Sequence, residues 1–532
     1  MFQPIYRSLC SARHSDWWQG RSFCHRGGQL GGFKMKKALA IALAMTGLAG
    51  TAYAADWVPP KVPDVIPDNL TWYGITPIGV LDLGGAYQTN GRPLGAIVSG
   101  LEYSPFTTTR NYTGQSIATV QHSALQQSFI GVKVEEPLGG DWKAIARLDT
   151  GVDPLRGTLS DGCSSFLQNA GIAYNQQTSN ADSGRCGQAF NGQLWGGITN
   201  KQYGTLTIGR NNSFQLDGIA QYDPMALSYA LSLLGYSGTN GGAGSTEAAR
   251  WDNSVKYVYD NGPIIAGVMY SNGGNATGFF GDAYAFVLGG HVGGFSAEAT
   301  YTKEHGVVNL QTAANLPLNS TSLFSNMSDD QEISVMGKYT WEFGRSGGAG
   351  YTGYTKAVKA EPMPVDKFTI FAGYSNVRNS NPNTPITTGD AAGGYLLTTF
   401  DNNAFTAARV FDFYWAGAKY DFAWGLSLTG AYYHVNQNSY IADNNPCPAT
   451  GGASANTCAG GYDQVSFLAD YALNKHLDVY LGATWAQVSG GLAAQFPGNP
   501  GTKVLQGINF SGPAPGHDIS TAAVVTGFRI KL

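Results

Sequence analysis

From residue 69 to the C-terminus, apolar and polar positions alternate with a period of two, in stretches interrupted by turn residues. In the last stretch Ala522, Val524, Thr526, Phe528, Ile530 and Leu532 occupy one strand face, and Gly527, Arg529 and Lys531 the other. The same pattern runs from His476 to Gln487, where Leu477, Val479, Leu481, Ala483 and Trp485 alternate with Asp478, Tyr480, Gly482 and Thr484. Such strands need one dry face and one wet face. The pattern predicts sixteen of them, near 70–87, 124–136, 141–152, 190–200, 204–211, 249–260, 262–272, 282–291, 293–303, 331–342, 367–377, 407–420, 424–436, 461–473, 476–488 and 519–532.

A soluble sandwich would also give alternating strands. The connections decide between the two. Alternate ones are tight, as at Pro137-Leu138-Gly139-Gly140, Asp260-Asn261-Gly262 and Leu473-Asn474-Lys475, and those between them are mostly long and polar. Short turns at one rim and long loops at the other define an even-stranded barrel that crosses a membrane. Backbone groups in lipid must all be paired, so the terminal strands are expected to pair with each other. The stretch Gly344 to Asp366 is long where a short turn is expected, which keeps eighteen strands as an alternative count.

Composition supports this reading. The chain has 72 Gly, 29 Tyr, 25 Phe and 11 Trp, with only 13% charged residues. A soluble domain carries about 25% charged residues. Mean hydropathy is nonetheless slightly negative, at -0.15, which excludes a bundle of membrane helices. The net charge of -4 gives no sign of nucleic-acid binding. The one notable apolar run, Ala38 to Ala49, follows Met35-Lys36-Lys37 and precedes Ala52-Tyr53-Ala54, the layout of a secretory signal peptide over 35–54. Residues 1–34 are then an upstream translated extension, 55–68 a short lead-in and 69–532 the barrel. Four cysteines of the exported part form two local pairs, Cys163 with Cys186 and Cys447 with Cys458, in Gly/Asn/Ser-rich long connections. Disulfides closing these loops fit an oxidising compartment, and no further ligand stands at zinc spacing beside either pair. No metal or cofactor is expected.

The forty or so residues from Arg210 to Arg250 have neither period and separate two well-patterned strands. Their middle, Met225 to Leu234, is apolar, so the segment is expected to be ordered and buried.

Four places carry a family resemblance: Leu70-Thr71-Trp72-Tyr73-Gly74; Ser128 to Gly139, continuing through Trp142 to Asp149; Phe190 to Arg210, ending in Gly-Arg; and Arg250-Trp251-Asp252-Asn253-Ser254-Val255-Lys256-Tyr257. In these the chain resembles the general porins of Gram-negative bacteria, trimeric sixteen-stranded diffusion channels of the outer membrane. It departs from them at Phe129, where the family has a lumen arginine, at Pro137 in a turn, and at Leu532 in place of a terminal phenylalanine.

The resemblance implies an all-β transmembrane antiparallel barrel whose third long loop folds into the lumen. It also implies a homotrimer, contact with outer-membrane lipids and lipopolysaccharide, and insertion by the barrel-assembly machinery. Ions and small hydrophilic solutes would pass between basic wall residues and acids of the loop. The positions carried over are Arg210 and Arg250, with Arg147 and Lys133 inward by strand parity, Asp217, Asp223 and Glu247 on or near the loop, and Phe129 reducing the positive charge. Phe214, Tyr222 and Tyr229 are the loop aromatics placed for solute contact. A substrate-selective channel, a plugged adhesin and a barrel enzyme are the competing readings; the few histidines and the lack of a Gly-x-Ser-x-Gly elbow argue against the last.

Overall fold

The computed structural model describes residues 66, 70–89, 116–155, 157–159, 189–234, 250–261, 263–272, 282–310, 324–343, 365–383, 391–392, 395–396, 399–401, 407–438, 459–490 and 519–532. The expected signal peptide and the four loop cysteines lie outside them. Among the described residues a ring of sixteen strands is formed. They are β1 (Ile75–Gln88), β2 (Phe129–Gly139), β3 (Trp142–Asp153), β4 (Leu194–Asn200), β5 (Gly204–Asn212), β6 (Arg250–Asn261), β7 (Ile264–Ser271) and β8 (Ala283–Val292). The second half comprises β9 (Phe295–Leu310), β10 (Phe324–Phe343), β11 (Asp366–Ser380), β12 (Arg409–Asp421), β13 (Leu426–Gln437), β14 (Gly460–Ala472), β15 (Leu477–Gly490) and β16 (Ile519–Lys531).

Every neighbouring pair is antiparallel, and β16 closes the ring on β1, with Leu83 opposite Phe528 and Val80 opposite Lys531. Closure leaves no open edge, as a wall in lipid requires. β10 pairs directly with β11 from Phe343 and Asp366 upward, so the long stretch between them joins two ring neighbours at the short-turn rim and the count is sixteen.

Alternation sorts the side chains. Ile130, Leu194, Ile208, Val255, Val268, Phe286, Leu288, Val335 and Phe467 are exposed on the outer face. Near the short-turn rim the outer face carries aromatic contacts, with Trp341 and Phe368 5.7 Å apart and Trp424 and Tyr471 5.8 Å apart, the girdle expected at a membrane interface. No helix among the described residues is long and apolar enough to cross a membrane, and the crossing is made by strands.

The expected strand at 124–136 begins later. A short strand, Ile117–His122, pairs with the upper part of β1, and β2 pairs with its lower part from Phe129. Between them Ser123–Ser128 leaves the ladder, with Ser123 at a φ of 61°. Asp82 of β1 holds this excursion: its carboxylate accepts from the Leu125 and Gln126 amides at 2.8 and 2.9 Å and from the Tyr480 hydroxyl at 2.7 Å.

After β5 the chain turns into the barrel. Ser213 caps helix α1 (Phe214–Tyr222), its hydroxyl accepting from the Leu216 amide at 3.1 Å, and Asp217 favours the positive helix start. The helix stops at Asp223, whose ψ of 123° is the extended value that the following Pro224 favours. The apolar run beyond it becomes the core. Ile219, Tyr222, Met225, Leu231, Leu233 and Leu234 pack against Met336, Phe411, Phe413, Trp415, Tyr433, Tyr462 and Val525 of the inner wall. Each buried leucine-sized side chain is worth about 1.5–3 kcal/mol, so this patch holds the loop in place.

Candidate functional site

The inward loop is fixed along the wall in sequence order. At its start Lys256 of β6 donates to Asp217 Oδ2 at 2.5 Å and to the Asn212 carbonyl at 2.9 Å, and its ammonium lies 4.7 Å from the centre of the Phe214 ring. Further along α1, Gln221 Nε2 donates to Glu298 at 3.0 Å, and Lys338 donates to the Gln221 carbonyl at 3.2 Å. Trp415 donates to the Tyr222 carbonyl at 3.1 Å.

Asp223 comes next, 2% exposed. It accepts from Tyr433 Oη at 2.5 Å and from the amides of Met225 and Leu227 at 3.2 and 2.8 Å. Burial pushes its carboxyl above the ordinary 3.8, and these hydrogen bonds pull the other way. The carboxylate braces a tight turn whose central residues, Ala226 and Leu227, have φ values of 50° and 60°, costly for residues with a Cβ. Beyond the turn, the Ala124 carbonyl of the wall excursion accepts from Ala230 N and Ser228 Oγ, both at 2.9 Å, and Gln464 donates to the Leu231 carbonyl at 2.8 Å.

The loop therefore follows the wall from β6 to the excursion before β2, which leaves the inner face of β2 to β5 uncovered by its described part. One register row there reads Thr76, Lys133, Arg147, Trp195, Gly209 and Ser254, each opposite the next on the neighbouring strand. Its side chains point into the lumen, because Ile130, Leu194 and Ile208 take the alternate, outer positions. Lys256 stands two residues below Ser254, so the clamp on Asp217 lies close to this row.

Lys133 is exposed and has no ion pair among the described residues. Arg147 Nε donates to Asp149 Oδ2 at 2.5 Å. Asp149, 5% exposed, also accepts from the Gln193 amide at 2.8 Å, and Gln193 Oε1 accepts from the Trp195 indole at 2.9 Å. A single buried carboxylate thus orients both the guanidinium and the indole.

The expected site residues are placed as follows. Lys133, Arg147 and Phe129 share the inner face of neighbouring strands, Phe129 two lumen positions above Lys133. Asp217 faces a basic wall residue, and that residue is Lys256. Arg210 departs from the expectation of a lumen-wall position. It is opposite Leu194 and two residues from Ile208, which places it on the outer strand face, where it donates to the Gly192 carbonyl at 2.9 Å and to Asp252 Oδ1 at 2.8 Å. A register shift between Gly209 and Asn211, with Asn253 at a φ of 49°, puts Asp252 on that face too. Arg250 is half-buried at the first position of β6, opposite Asn212. Asp223 is turned into the apolar core rather than toward the uncovered wall. Glu247 lies outside the described residues. Of the loop aromatics, Phe214 and Tyr222 are buried, and Tyr229 is half-exposed, with its hydroxyl donating to Gln127 at 3.3 Å.

Lys256 and Asp149 were not singled out from the sequence, although they share strand parity with Ser254 and Arg147. Tyr433 lies 210 residues from Asp223 and only folding reveals the pair.

A closed membrane barrel with a loop fixed inside it is the architecture of a diffusion channel of the bacterial outer membrane. The chain belongs to the Gram-negative porins, whose family profile matches residues 38–491. It is accordingly a multi-pass outer-membrane protein through which solutes pass passively. The anion-selective porin from Comamonas acidovorans has the same fold, with 13% identity over 86% of this chain and 99% of that one and a TM-score of 0.51. OmpF of Salmonella typhi is 14% identical over 85% of this chain and 97% of its own, with a TM-score of 0.42. The channel DcaP of Acinetobacter baumannii is 15% identical over 86% and 97%, with a TM-score of 0.42. No curated protein matches the chain.

Proposed function

We propose that this porin is a general diffusion channel with a weak preference for anions. The observation that carries the reading is the charge balance of the wall around Lys133 and Arg147. Asp217, the loop acid nearest the uncovered wall, is bonded to Lys256, and Asp223 is buried, while Lys133 and Arg147 stand together on that wall with Asp149 against them, the nearby Glu135 being paired with Lys143. Two positive groups on the row and one carboxylate two residues from it leave one net positive charge on this patch. Charge lining the bore sets ion preference. Phe129 keeps the preference modest, since an arginine there would add a further charge.

The resemblance to general porins supports assembly as a homotrimer among outer-membrane lipids and lipopolysaccharide, delivery by the barrel-assembly machinery after removal of 35–54, and disulfides Cys163–Cys186 and Cys447–Cys458 stapling outer loops. The protein has no catalytic role in this reading. Ser123, His122 and Asp153 do form a bonded chain, with Ser123 Oγ 2.8 Å from His122 Nδ1 and His122 Nε2 3.3 Å from Asp153. All three are sealed in the wall, at 1%, 3% and 2% exposure, beyond the reach of a substrate.

The test is the purified protein in a planar bilayer under a KCl gradient. Ohmic current with a reversal potential of the sign set by chloride supports the reading. No current would remove the channel reading, and a cation-signed potential would remove the anion preference.

A further inference from the structure

We propose that Lys133, Arg147 and Trp195 form a docking step for planar aromatic monocarboxylates on the lumen wall. The step rests on the anion preference above and names the class of anion that gains most from the wall.

The three side chains are consecutive in one register row on β2, β3 and β4. Cross-strand neighbours of this kind hold their Cβ atoms about 4.5–5.5 Å apart, so two cations and an indole share a patch the size of one small ring-bearing anion. Arg147 is bonded to Asp149 through Nε alone, at 2.5 Å, and makes no other hydrogen bond among the described residues. Its terminal guanidinium edge is therefore available for the paired bonds that a carboxylate accepts. Lys133 adds a compact positive charge beside it.

Trp195 supplies the second half of the recognition. Its indole nitrogen is committed to Gln193 at 2.9 Å, which fixes the ring plane and leaves a face for stacking. The Gln193 amide is in turn held by Asp149 at 2.8 Å. Gly192 beside it leaves room for this carboxylate, since a Cβ there would come within 1.7 Å of Asp149 Oδ1. Cation, indole and their common orienting carboxylate are thus set by one local network before any solute arrives, and pre-set geometry is what weak, fast binding needs. The net charge of plus one matches a monoanion. A dianion would be left with an unpaired charge, and an uncharged ring would forgo the guanidinium. Binding stays weak enough for release, as conduction requires.

The experiment measures block of ion current through the full-length protein in a bilayer by benzoate and, in parallel, by cyclohexanecarboxylate, which has the same charge and similar bulk without a π face. Benzoate is expected to block at about fivefold lower concentration, the size of an aromatic pairing. Trp195→Leu should bring the two acids to the same blocking concentration, and Trp195→Phe should restore part of the difference. Gln193→Leu, which frees the indole without removing it, should reduce the difference as well. Equal block by the two acids in the unsubstituted protein would overturn the proposal, as would a difference that survives Trp195→Leu. Block by glucose with the same dependence on Trp195 would assign the row to saccharides and also overturn it. An anion-signed reversal potential without preferential benzoate block removes this step and leaves the anion preference standing; a cation-signed potential removes both.

Discussion

Lys256 Nζ lies 2.5 Å from Asp217 Oδ2, so the acid that the inward loop turns toward the bore is already paired to the barrel wall. Lys256 is 9% exposed and Asp217 49%, which makes the lysine the fixed partner and the carboxylate the one that solutes meet. Replacing Lys256 with Gln is expected to free the carboxylate and move the reversal potential toward cations. Asp217→Asn should move it the other way, and because Ser213 rather than Asp217 caps α1, the helix should survive the change.

The Asp223–Tyr433 bond gives a stability prediction. Tyr433→Phe is expected to cost about 1 kcal/mol and Asp223→Ala about 1–3 kcal/mol, the range for losing one bond against stripping a buried cluster of its partner. Since both act on the loop rather than on strand pairing, the larger effect should be current noise from loop fluctuation in single-channel records. Quiet records from Asp223→Ala would show that the apolar patch alone holds the loop.

Asp223 also predicts a pH dependence. Its carboxyl is raised above 3.8 mainly by burial, so the docked loop favours the protonated form. For a group raised in the folded state, the added stability is full below the ordinary value and is lost as pH rises through the raised one. Loop noise should therefore increase on going upward through that window, and Asp223→Asn, which cannot ionise, should flatten the dependence. Noise that increases on acidification would contradict the assignment.

Much of the barrel was legible because a two-residue period is a strong local signal. Each of the sixteen strands overlaps the stretch that alternation assigned to it, and the terminal pairing followed from the intolerance of lipid for open edges. The late start of β2 was not legible. Ser123–Ser128 reads as strand sequence, and it leaves the ladder because Asp82, forty or so residues earlier, captures its amides. The row of Lys133 and Arg147 could be read from parity. The resemblance carries Arg210 to the lumen wall, although its parity with Ile208 already sets it on the outer face. What parity could not show is its partner, since the bulge at Asn253 moves Asp252 to that face.

Gly192 tests how far the orienting network depends on backbone space. Gly192→Ala would drive a Cβ onto Asp149 Oδ1. The carboxylate has to leave Arg147 or the Gln193 amide, at a cost of about 1–3 kcal/mol for an overpacked site. A thermal shift of that size, with weakened anion preference, is the expected outcome; an unchanged melting profile and potential would mean that Asp149 relocates freely.

The charge of the uncovered wall is tested most directly by the reversal potential of the double variant Lys133→Gln, Arg147→Gln against the unsubstituted protein, under the same KCl gradient. Removing both cations leaves Asp149 as the unbalanced charge of this patch, so the potential should pass from anion-signed to neutral or cation-signed. A potential that is cation-signed from the outset, or one that does not move in the double variant, would contradict the account.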